Sequence, residues 1–318
     1  MISTISTSQD WPIVCAMLPF PDSQSLMADD WVRQLAEVAF EGFTAVDLTD
    51  SWVRPGDLSP ERLSELGDAF AAAGVRPLTL SAIRRSVIDP ERGEDNLDYS
   101  HRTLEAAAEL GMSVVSVGFH RPLLKEQSQA FWFWLADGPH DSTDSTTWAL
   151  AVSRIRELGR HAGDLGLELS LEMYEDTLLG LPDLAVCLVD EIGLDNVGLN
   201  PDLGNLFRLH RPIPPFMDWI ETCAPRMNFW HIKSYFRDED LPSGTVTTVP
   251  APMEIGSINY RQAIKRAVEL GFRAPFCVEH YGGDGLSVSA MNARYIRRML
   301  AVATGEAAQQ ILHQGETK

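Results

Sequence analysis

The sequence has few cysteines, few basic residues and no long apolar run, and each shortage excludes a class of protein. Its 318 residues include four cysteines, none in a Cys-x-x-Cys pair. A disulfide scaffold or a zinc ribbon is therefore excluded, and reduced core thiols are expected. Lys and Arg number 26 against 45 Asp and Glu, giving a formal net charge of −19. So acidic a chain disfavours extended contacts with nucleic acid or with an anionic membrane.

No apolar run reaches the length of a membrane-spanning helix, and the first ten residues lack the basic start and apolar centre of a signal peptide. We therefore expect a cytoplasmic protein with a flexible tail over residues 1–10. The chain is 45% apolar, enough to bury one large core, and barrels of this size commonly form one domain. We expect that domain over residues 11–304 and a polar tail over residues 305–318.

One unit recurs along the chain: a helix rich in Ala, Leu and Glu, a glycine, and then a short apolar strand. It is visible in EVAFEGFTAVDLT, AFAAAGVRPLTLSA, AAELGMSVVSVGF and AVELGFRAPFCVEH. The glycine suits the left-handed turn that ends a helix, and the Val- and Leu-rich runs after it are typical of buried strands. Eight strands are predicted, near residues 13–18, 43–48, 75–81, 113–119, 167–173, 196–201, 227–233 and 275–280.

Eight alternating strand and helix units in one chain predict an α/β fold, a single (β/α)8 TIM barrel. A doubly wound sheet is the alternative, but no GxGxxG turn follows the first strand. Two connections are longer than usual, residues 120–147 after strand four and residues 236–256 after strand seven. Both follow the carboxyl end of a strand, the face on which such barrels build active sites.

Four consecutive strands end in metal-binding side chains that share one orientation. In LELSLEM, alternation sends the leucines toward the helices and Glu172 into the barrel. It also points Asp202, His231 and Glu279 inward at the next three strand ends, with Lys233 beside His231. Three converging carboxylates repel one another unless a cation compensates them. The sequence therefore predicts a divalent metal on these four ligands, with Mn²⁺ the first choice and Mg²⁺, Co²⁺ or Zn²⁺ as alternatives.

These segments resemble the sugar phosphate isomerase/epimerase superfamily, the xylose-isomerase-like TIM barrels. The resemblance runs from EGFTAVDL to EHYGGDG and is most specific in LEMYED, NPDLGN, WHIKSYFRDE and VEHYGGDG. It implies that Glu172 and Glu279 also exchange protons with the carbon next to a substrate carbonyl, and that Arg237 contacts substrate oxygens. Asn205 stands where the ketose epimerases carry a histidine, so this substrate-binding position departs from their pattern.

A narrower resemblance is carried by VGLNPDLGNLFRLHRP, NFWHIKSYFRDED, VPAPMEIGSINYRQAI and EHYGGDGLSVSA taken together. They are similar to the catalytic alpha subunit of bacterial C-glycoside deglycosidases. That resemblance implies a lyase that cleaves the carbon–carbon bond between a 3-oxo sugar and an aromatic, flavonoid-type aglycone by proton abstraction and elimination. It also implies a small-molecule glycoside as substrate and a small beta subunit, so that the enzyme is a hetero-oligomer.

This chemistry indicates further catalytic and substrate-binding residues. A phenolic aglycone needs a base near neutral pH, and histidine is the usual one. His120 and His140 both lie on the connection after strand four, and either can take this role. Trp132 and Trp134 on the same connection either line a pocket for a flat ring or pack the loop onto the barrel.

Three more residues fall near the predicted strand ends. Lys233 either holds a substrate oxygen or an enolate, or it pairs with Glu172 or Asp202. Tyr281 begins a turn with Gly282 and Gly283, where the missing side chains permit close approach of a substrate. His280 alternates away from the barrel interior and is expected to be a buried structural histidine.

Two other functions stay open at this point. A metal-dependent ketose 3-epimerase or isomerase would use the same metal but would need no second subunit and release no aglycone. A metal-free binding protein would leave the inward carboxylates without a counter-charge, which is energetically costly.

Overall fold

Eight parallel strands form a nearly closed barrel. The structure is a computed structural model that describes residues 5, 7–240, 242–308 and 312. The predicted (β/α)8 barrel is confirmed, and its strands are β1 (Ile13–Ala16), β2 (Ala45–Thr49), β3 (Arg76–Ser81), β4 (Val114–Val117), β5 (Glu168–Glu172), β6 (Val197–Asn200), β7 (Trp230–Ile232) and β10 (Phe276–Val278). Along the sheet the order is β6, β5, β4, β3, β2, β1, β10 and β7. A backbone bridge between Leu199 of β6 and Met227, just before β7, links the two ends of the sheet.

Helices surround the barrel and follow the predicted stop and start signals. The Ser59 hydroxyl accepts a hydrogen bond from the Arg62 N–H at the start of α2, and Gly74 ends that helix in the left-handed conformation. The helices are α1 (Ala28–Phe40), α2 (Pro60–Ala73), α3 (Gly93–Glu109), α4 (Lys125–Gln129), α5 (Ser145–Asp164), α6 (Pro182–Ile192), α7 (Leu203–Phe207), α8 (Phe216–Cys223), α9 (Tyr260–Glu269) and α10 (Gly285–Ala303).

Alternation along the strands separates two apolar cores. Phe276 and Val278 of β10 belong to the large core between the sheet and the helices, whereas Cys277 faces the barrel axis. The interior of the barrel is filled by a small cluster made of Val14, Ala16, Ala45, Val114, Phe229 and Cys277. Because apolar side chains fill the barrel, the polar inward side chains at the carboxyl ends of the strands are left to line a site.

Both long connections contain regular structure that the sequence patterns do not predict. Residues 236–256 do not form an open loop: they belong largely to an antiparallel hairpin of β8 (Ser234–Asp240) and β9 (Thr245–Ala251). Residues 120–147 contain the short helix α4 and a 3-10 turn over Phe133–Leu135. Both connections lie at the carboxyl ends of the barrel strands, so they surround the entrance to the interior.

The predicted tails are only partly covered by the described residues. Within the first ten residues, Ser8 is buried, and its N–H and its hydroxyl donate to the carboxylate of Glu306. The remaining tail residues, 1–4, 6, 309–311 and 313–318, lie outside the described residues. All four cysteines are free, but Cys187 is exposed, so the expectation of core thiols is wrong for that one. Within the described chain, no helix is long and apolar enough to cross a membrane.

Candidate metal centre and active site

Three of the four predicted metal ligands meet at the carboxyl ends of β5, β6 and β7. One ligand atom each of Glu172, Asp202 and His231 lies within 4.8 Å of the others, and all three side chains are buried. Glu172 is the last residue of β5, His231 is central in β7, and Asp202 caps α7 through a 2.8 Å bond from the Gly204 N–H. The strand alternation therefore places them as the sequence predicts.

The fourth predicted ligand, Glu279, is held beside this group by Lys233. The Lys233 ammonium donates to Asp202 Oδ2 at 2.5 Å and also to Glu279 Oε1, and all three side chains are buried. Burial by itself disfavours a charged lysine, but the two carboxylates raise the pKa of Lys233 well above its usual value. Lys233 is thus a carboxylate partner, as one of its two interpretations has it, although it pairs with Glu279 as well as with Asp202.

One ammonium compensates this cluster of carboxylates only in part. Burial, assisted by the nearby Glu279 and Glu172 charges, raises the pKa of Asp202 against the opposing effect of Lys233. For Glu279, the effect of burial is outweighed by Lys233 and His231, which lower the pKa of this carboxyl. Three buried carboxylates thus share one lysine, and a divalent cation at this point would interact favourably with all three.

The histidine has the hydrogen-bonding pattern of a metal ligand. Ser81 Oγ donates to Asp47 Oδ1 at 3.1 Å and lies 3.1 Å from His231 Nε2, so the serine oxygen is left to accept from a protonated Nε2. Burial lowers the pKa of His231, but the charges of Glu172 and Glu279 outweigh this effect and raise it, so a bound metal would take the place of a proton on the other ring nitrogen, Nδ1. It is buried without a hydrogen-bond partner and lies 3.9 Å from Glu172 Oε1. A second residue that fixes the ring of a ligating histidine in this way is typical of metal sites.

A second group of potential ligands, deeper in the barrel, is not suited to a metal. Asp47, His231 and Cys277 approach one another there. Burial and the neighbouring carboxylates raise the pKa of the Cys277 thiol well above its usual value, so it stays protonated. Asp47 is already bonded by the Thr79 and Ser81 hydroxyls at 2.7 and 3.1 Å. Asp47 instead positions Ser81, whose hydroxyl contacts the His231 ring.

Asn205 and His120 surround the Glu172 carboxylate. The Asn205 amide donates to Glu172 Oε1 at 3.1 Å and to the Met173 carbonyl at 3.0 Å, so it positions the end of β5. His120 Nε2 lies 3.8 Å from the same carboxylate oxygen, and its Nδ1 is buried without a partner. Burial, together with the Arg84 and Arg208 charges, lowers the pKa of His120 well below its usual value. His120 is therefore a neutral imidazole next to the ligands.

Two adjoining cavities open above this group. The smaller has a volume of about 30 Å³ and is bounded by the carboxylates Glu172 and Glu279, with His231, Lys233 and Tyr281. The larger, of about 150 Å³, lies under the connection after β4. The two share three wall residues: Arg84, His120 and Tyr174. These three side chains therefore form the boundary between the two cavities.

The two predicted tryptophans stack on each other at the edge of these cavities. Their ring centroids are 4.9 Å apart with an interplanar angle of 9°, and Trp134 lines the larger cavity. Trp132 packs against the backbone of Gly282, where a Cβ would lie 2.7 Å from its ring. Tyr281 lines the smaller cavity and contacts Trp134 edge to face at 5.7 Å. Trp132 thus packs against the chain, whereas Trp134 and Tyr281 line the cavities.

Two predicted residues lie apart from these cavities. The His140 side chain is 61% exposed and lies 3.6 Å from Asp176 Oδ1, on the outer surface of the connection after β4. The buried Arg237 guanidinium donates to the carbonyls of Phe207, Leu209 and Arg211 and pairs with Glu239. Through these bonds Arg237 anchors the chain after α7, and its contact with substrate oxygens stays a prediction. His280 is buried, as expected.

The sequence patterns do not predict several residues of this site. Arg84 and Tyr174 line both cavities, and Ser81, bonded to Asp47, contacts His231. The sequence does contain a signal for Arg84 and Tyr174, because SAIRRS and LEMYED each place a polar side chain just beyond the carboxyl end of a predicted strand. Nothing in the local pattern shows that Asp47, in the middle of β2, is buried behind the site.

The turn that carries Arg84 rests on a buried carboxylate, Asp50. Its Oδ1 accepts from the Ile83 N–H at 3.1 Å, and the Arg85 guanidinium lies 3.8 Å from Oδ2. Burial raises the pKa of Asp50 from 3.8 to about 7. A carboxyl whose folded pKa is raised contributes stability that is fully present below the unfolded pKa and is lost as the pH rises through the folded pKa.

We therefore expect the free energy of unfolding to fall by a few kcal/mol between about pH 4 and pH 8, since each pKa unit is worth about 1.4 kcal/mol. Asp50→Asn keeps an acceptor for Ile83 and removes this titration, so the variant should gain stability relative to the wild type as the pH rises. Urea unfolding at several pH values measures this, with the exposed-turn variant Asp57→Asn as control. A wild-type-to-Asn difference that is constant with pH would contradict the assignment.

Eight parallel strands with a buried group of two carboxylates and an imidazole at their carboxyl ends define a TIM barrel whose candidate site lies on the face where such barrels build active sites. The chain belongs to the family of xylose isomerase-like TIM barrels, whose family model matches residues 32–301. No curated protein sequence matches the chain.

Solved structures with the same fold span nearly the whole chain. A xylose isomerase-like TIM barrel protein from Mycobacterium smegmatis, in complex with magnesium, is 43% identical with a TM-score of 0.90, covering 94% of this chain and 100% of that one. An L-ribulose 3-epimerase is 13% identical, covering 94% and 97%, with a TM-score of 0.68. A 3-keto-D-glucoside 4-epimerase from E. coli is 14% identical, covering 91% and 99%, with a TM-score of 0.64. The two epimerases share the fold at low identity.

Proposed function

We propose that the protein is a divalent-metal-dependent lyase that cleaves the carbon–carbon bond between a 3-oxo sugar and an aromatic aglycone. The observation that carries this proposal is the pair of adjoining cavities with shared walls at Arg84, His120 and Tyr174. A free ketose needs one polar cavity, whereas a C-glycoside has a sugar and a flat ring. The larger cavity, lined by Trp134 and Tyr174, suits the ring.

The metal would be held by Glu172, Asp202 and His231, with Glu279 as a fourth ligand once Lys233 releases it. A bound divalent ion, with Mn²⁺ the first choice and Mg²⁺ the second, supplies polarisation of the 3-oxo group. The carboxylates of Glu172 and Glu279 both face the smaller cavity, where they can take the proton from the carbon next to that group. Lys233 lines the same cavity and can donate to a substrate oxygen.

The elimination is balanced within the substrate and the side chains of the site. A carboxylate removes the C2 proton, and the C1–aryl bond breaks with its electron pair going to the ring carbon. That carbon takes up a proton from the carboxylic acid formed in the first step, and a C1–C2 double bond remains in the sugar. His120, at the boundary of the two cavities with one free ring nitrogen, is placed to take the proton of a phenolic hydroxyl on the ring.

His120→Ala is accordingly expected to slow aglycone release by about 10²- to 10⁴-fold, the usual contribution of a general base, with metal content unchanged. His140→Ala, a change of the same residue type on the exposed surface, is the matched control and should leave the rate close to that of the wild type. Rates follow from chromatographic detection of the aglycone, and metal content from elemental analysis. Equal rates for His120→Ala and the wild type would contradict the assignment.

A metal-dependent sugar epimerase is the second candidate. It is favoured by two carboxylates, Glu172 and Glu279, that face one cavity and could exchange a proton at the same carbon. The known activities of two structural relatives, an L-ribulose 3-epimerase and a 3-keto-D-glucoside 4-epimerase, fit this alternative. The second candidate gives no role to the larger cavity, which is why we place it second.

We also propose that a small second subunit completes the enzyme. Apolar side chains are exposed around the cavity entrance, among them Phe131 at 84% and the cross-strand pair Phe236 and Val249 of the hairpin at 45% and 42%. Such a group on the two long connections suits a protein contact.

The decisive assay incubates the metal-loaded chain, with and without a candidate second subunit, with a 3-oxo-C-glycoside and separately with common ketoses. Release of aglycone supports the lyase. Interconversion of ketoses by the chain alone, without aglycone release, would replace it with the epimerase.

A further inference from the structure

The larger cavity contains one cation without a carboxylate partner. Among its lining arginines, Arg121 pairs with Asp141 at 2.7 Å and Arg211 pairs with Asp176 at 2.7 Å. Within the described residues, Arg84 makes no such ion pair: its only hydrogen bond runs from Nη1 to the Arg121 carbonyl at 3.1 Å. Its Nε and Nη2 donors are therefore left for a ligand.

The acidic residues of the cavity do not cancel this charge. Glu175 is engaged by the buried Arg208, whose Nη2 lies 2.8 Å from both carboxylate oxygens. Asp176 is engaged by Arg211, and Asp137 is exposed at the surface. Arg84 is thus the cation of this cavity that no carboxylate of the described residues pairs with, although it also lines the smaller cavity with Glu172 and Glu279.

The guanidinium of Arg84 is oriented by an aromatic ring. The Arg84 Cζ atom lies 5.0 Å from the centroid of the Phe133 ring, and the Arg208 Cζ atom lies 4.8 Å from the same centroid. Stacking covers the face of a guanidinium and leaves its edge free for in-plane hydrogen bonds to an oxyanion. Arg208 Nη1 and the Tyr174 hydroxyl are buried nearby without any partner, and Tyr174 lines the cavity.

The backbone at this cavity is held in an unusual conformation. Arg84 and Asp176 have φ values of 57° and 61°, and they are the two non-glycine residues with positive φ in the described chain. Both line the larger cavity. This backbone conformation raises the free energy of the folded state by about 1 to 3 kcal/mol for each such residue, and strained residues of this kind cluster at ligand-binding sites. The fold thus holds Arg84 at this position against a local preference.

We propose that the larger cavity binds an aromatic ring bearing an anionic oxygen group, with Arg84 as the counter-charge. A cavity of about 150 Å³ is the size that accommodates a benzene ring. The inference rests on the proposed function only in taking this ring to be the leaving half of the substrate. Arg84 would then bind the phenolate or carboxylate of that half and stabilise the charge on it as the carbon–carbon bond breaks.

Direct binding tests this without any glycoside. Benzoate and benzyl alcohol are titrated into the Mg²⁺-loaded protein, and the dissociation constants are measured by calorimetry or by the fluorescence of Trp134 and its neighbours. We expect benzoate to bind at least about tenfold tighter, equivalent to about 1.4 kcal/mol. Arg84→Asn, whose side chain tolerates the left-handed backbone, should lose this preference, and Arg84→Lys should retain part of it.

Arg85→Gln is the matched control. It removes the neighbouring positive charge, which stacks on Tyr99 and faces Asp50 outside the cavity, so the preference should persist. Thermal unfolding checks that Arg84→Asn is folded. Equal or absent binding of the two compounds, or a preference that survives in Arg84→Asn, as it would if benzoate bound the metal, overturns the proposal. A protein that shows the preference but cleaves no 3-oxo-C-glycoside would instead refute only the lyase.

Discussion

Asp202→Asn, and equally Glu172→Gln, is expected to abolish metal binding and activity while the barrel stays folded. Each change removes one negative charge from the ligand group at nearly constant volume. The amide introduced by Asp202→Asn could still cap α7, because its oxygen can accept from the Gly204 N–H as the Asp202 carboxylate does at 2.8 Å. Loss of an outer-shell partner alone typically costs 10- to 100-fold in metal affinity or activity, so loss of a ligand should cost more than about 100-fold.

The matched control is Glu168→Gln, at the opposite end of the same strand as Glu172. This substitution removes the same charge from β5. The Glu168 carboxylate lies away from the proposed ligands and accepts a hydrogen bond from the Asn228 amide at 3.3 Å. Elemental analysis and calorimetric titration with Mn²⁺ and Mg²⁺ measure binding, and circular dichroism monitors the fold. Full metal occupancy in Asp202→Asn or Glu172→Gln would show that the ligand assignment is wrong.

Lys233→Met is expected to destabilise the metal-free protein by about 3 to 5 kcal/mol, the cost of removing one partner of a buried ion pair. The Lys233 ammonium donates to both Asp202 and Glu279, so the variant leaves two buried carboxylates without their cation. Addition of a divalent metal should recover a large part of the loss, because the metal then supplies the missing positive charge. The stabilisation by metal should therefore be larger in the variant than in the wild type.

Urea unfolding in a chelator and in excess Mg²⁺ measures both effects. Lys265→Met is the control, because its 3.8 Å pair with Glu269 on α9 is exposed, and such pairs contribute at most about 1 kcal/mol. A Lys233→Met protein whose stability does not depend on metal would show that the metal and the lysine do not act on the same carboxylates.

Two sequence features determine the positions of the proposed metal ligands. The glycines that end the helices divide the chain into its barrel units, and alternation along each strand decides which side chains point inward. Both are local properties with a fixed period, so they survive into the fold without knowledge of distant contacts. For this reason Glu172, Asp202 and His231 meet as predicted, and Cys277 faces the interior while Phe276 and Val278 face the helices.

Local patterns are thus enough to predict the eight strands and the inward direction of the proposed metal ligands. They do not predict that Lys233 pairs with Glu279, that Arg237 anchors a loop, or that His120 rather than His140 lies beside Glu172. The physical reason is the same in each case. The partner of a long or loop-borne side chain is chosen by contacts between residues far apart in the chain, and no periodic pattern records them.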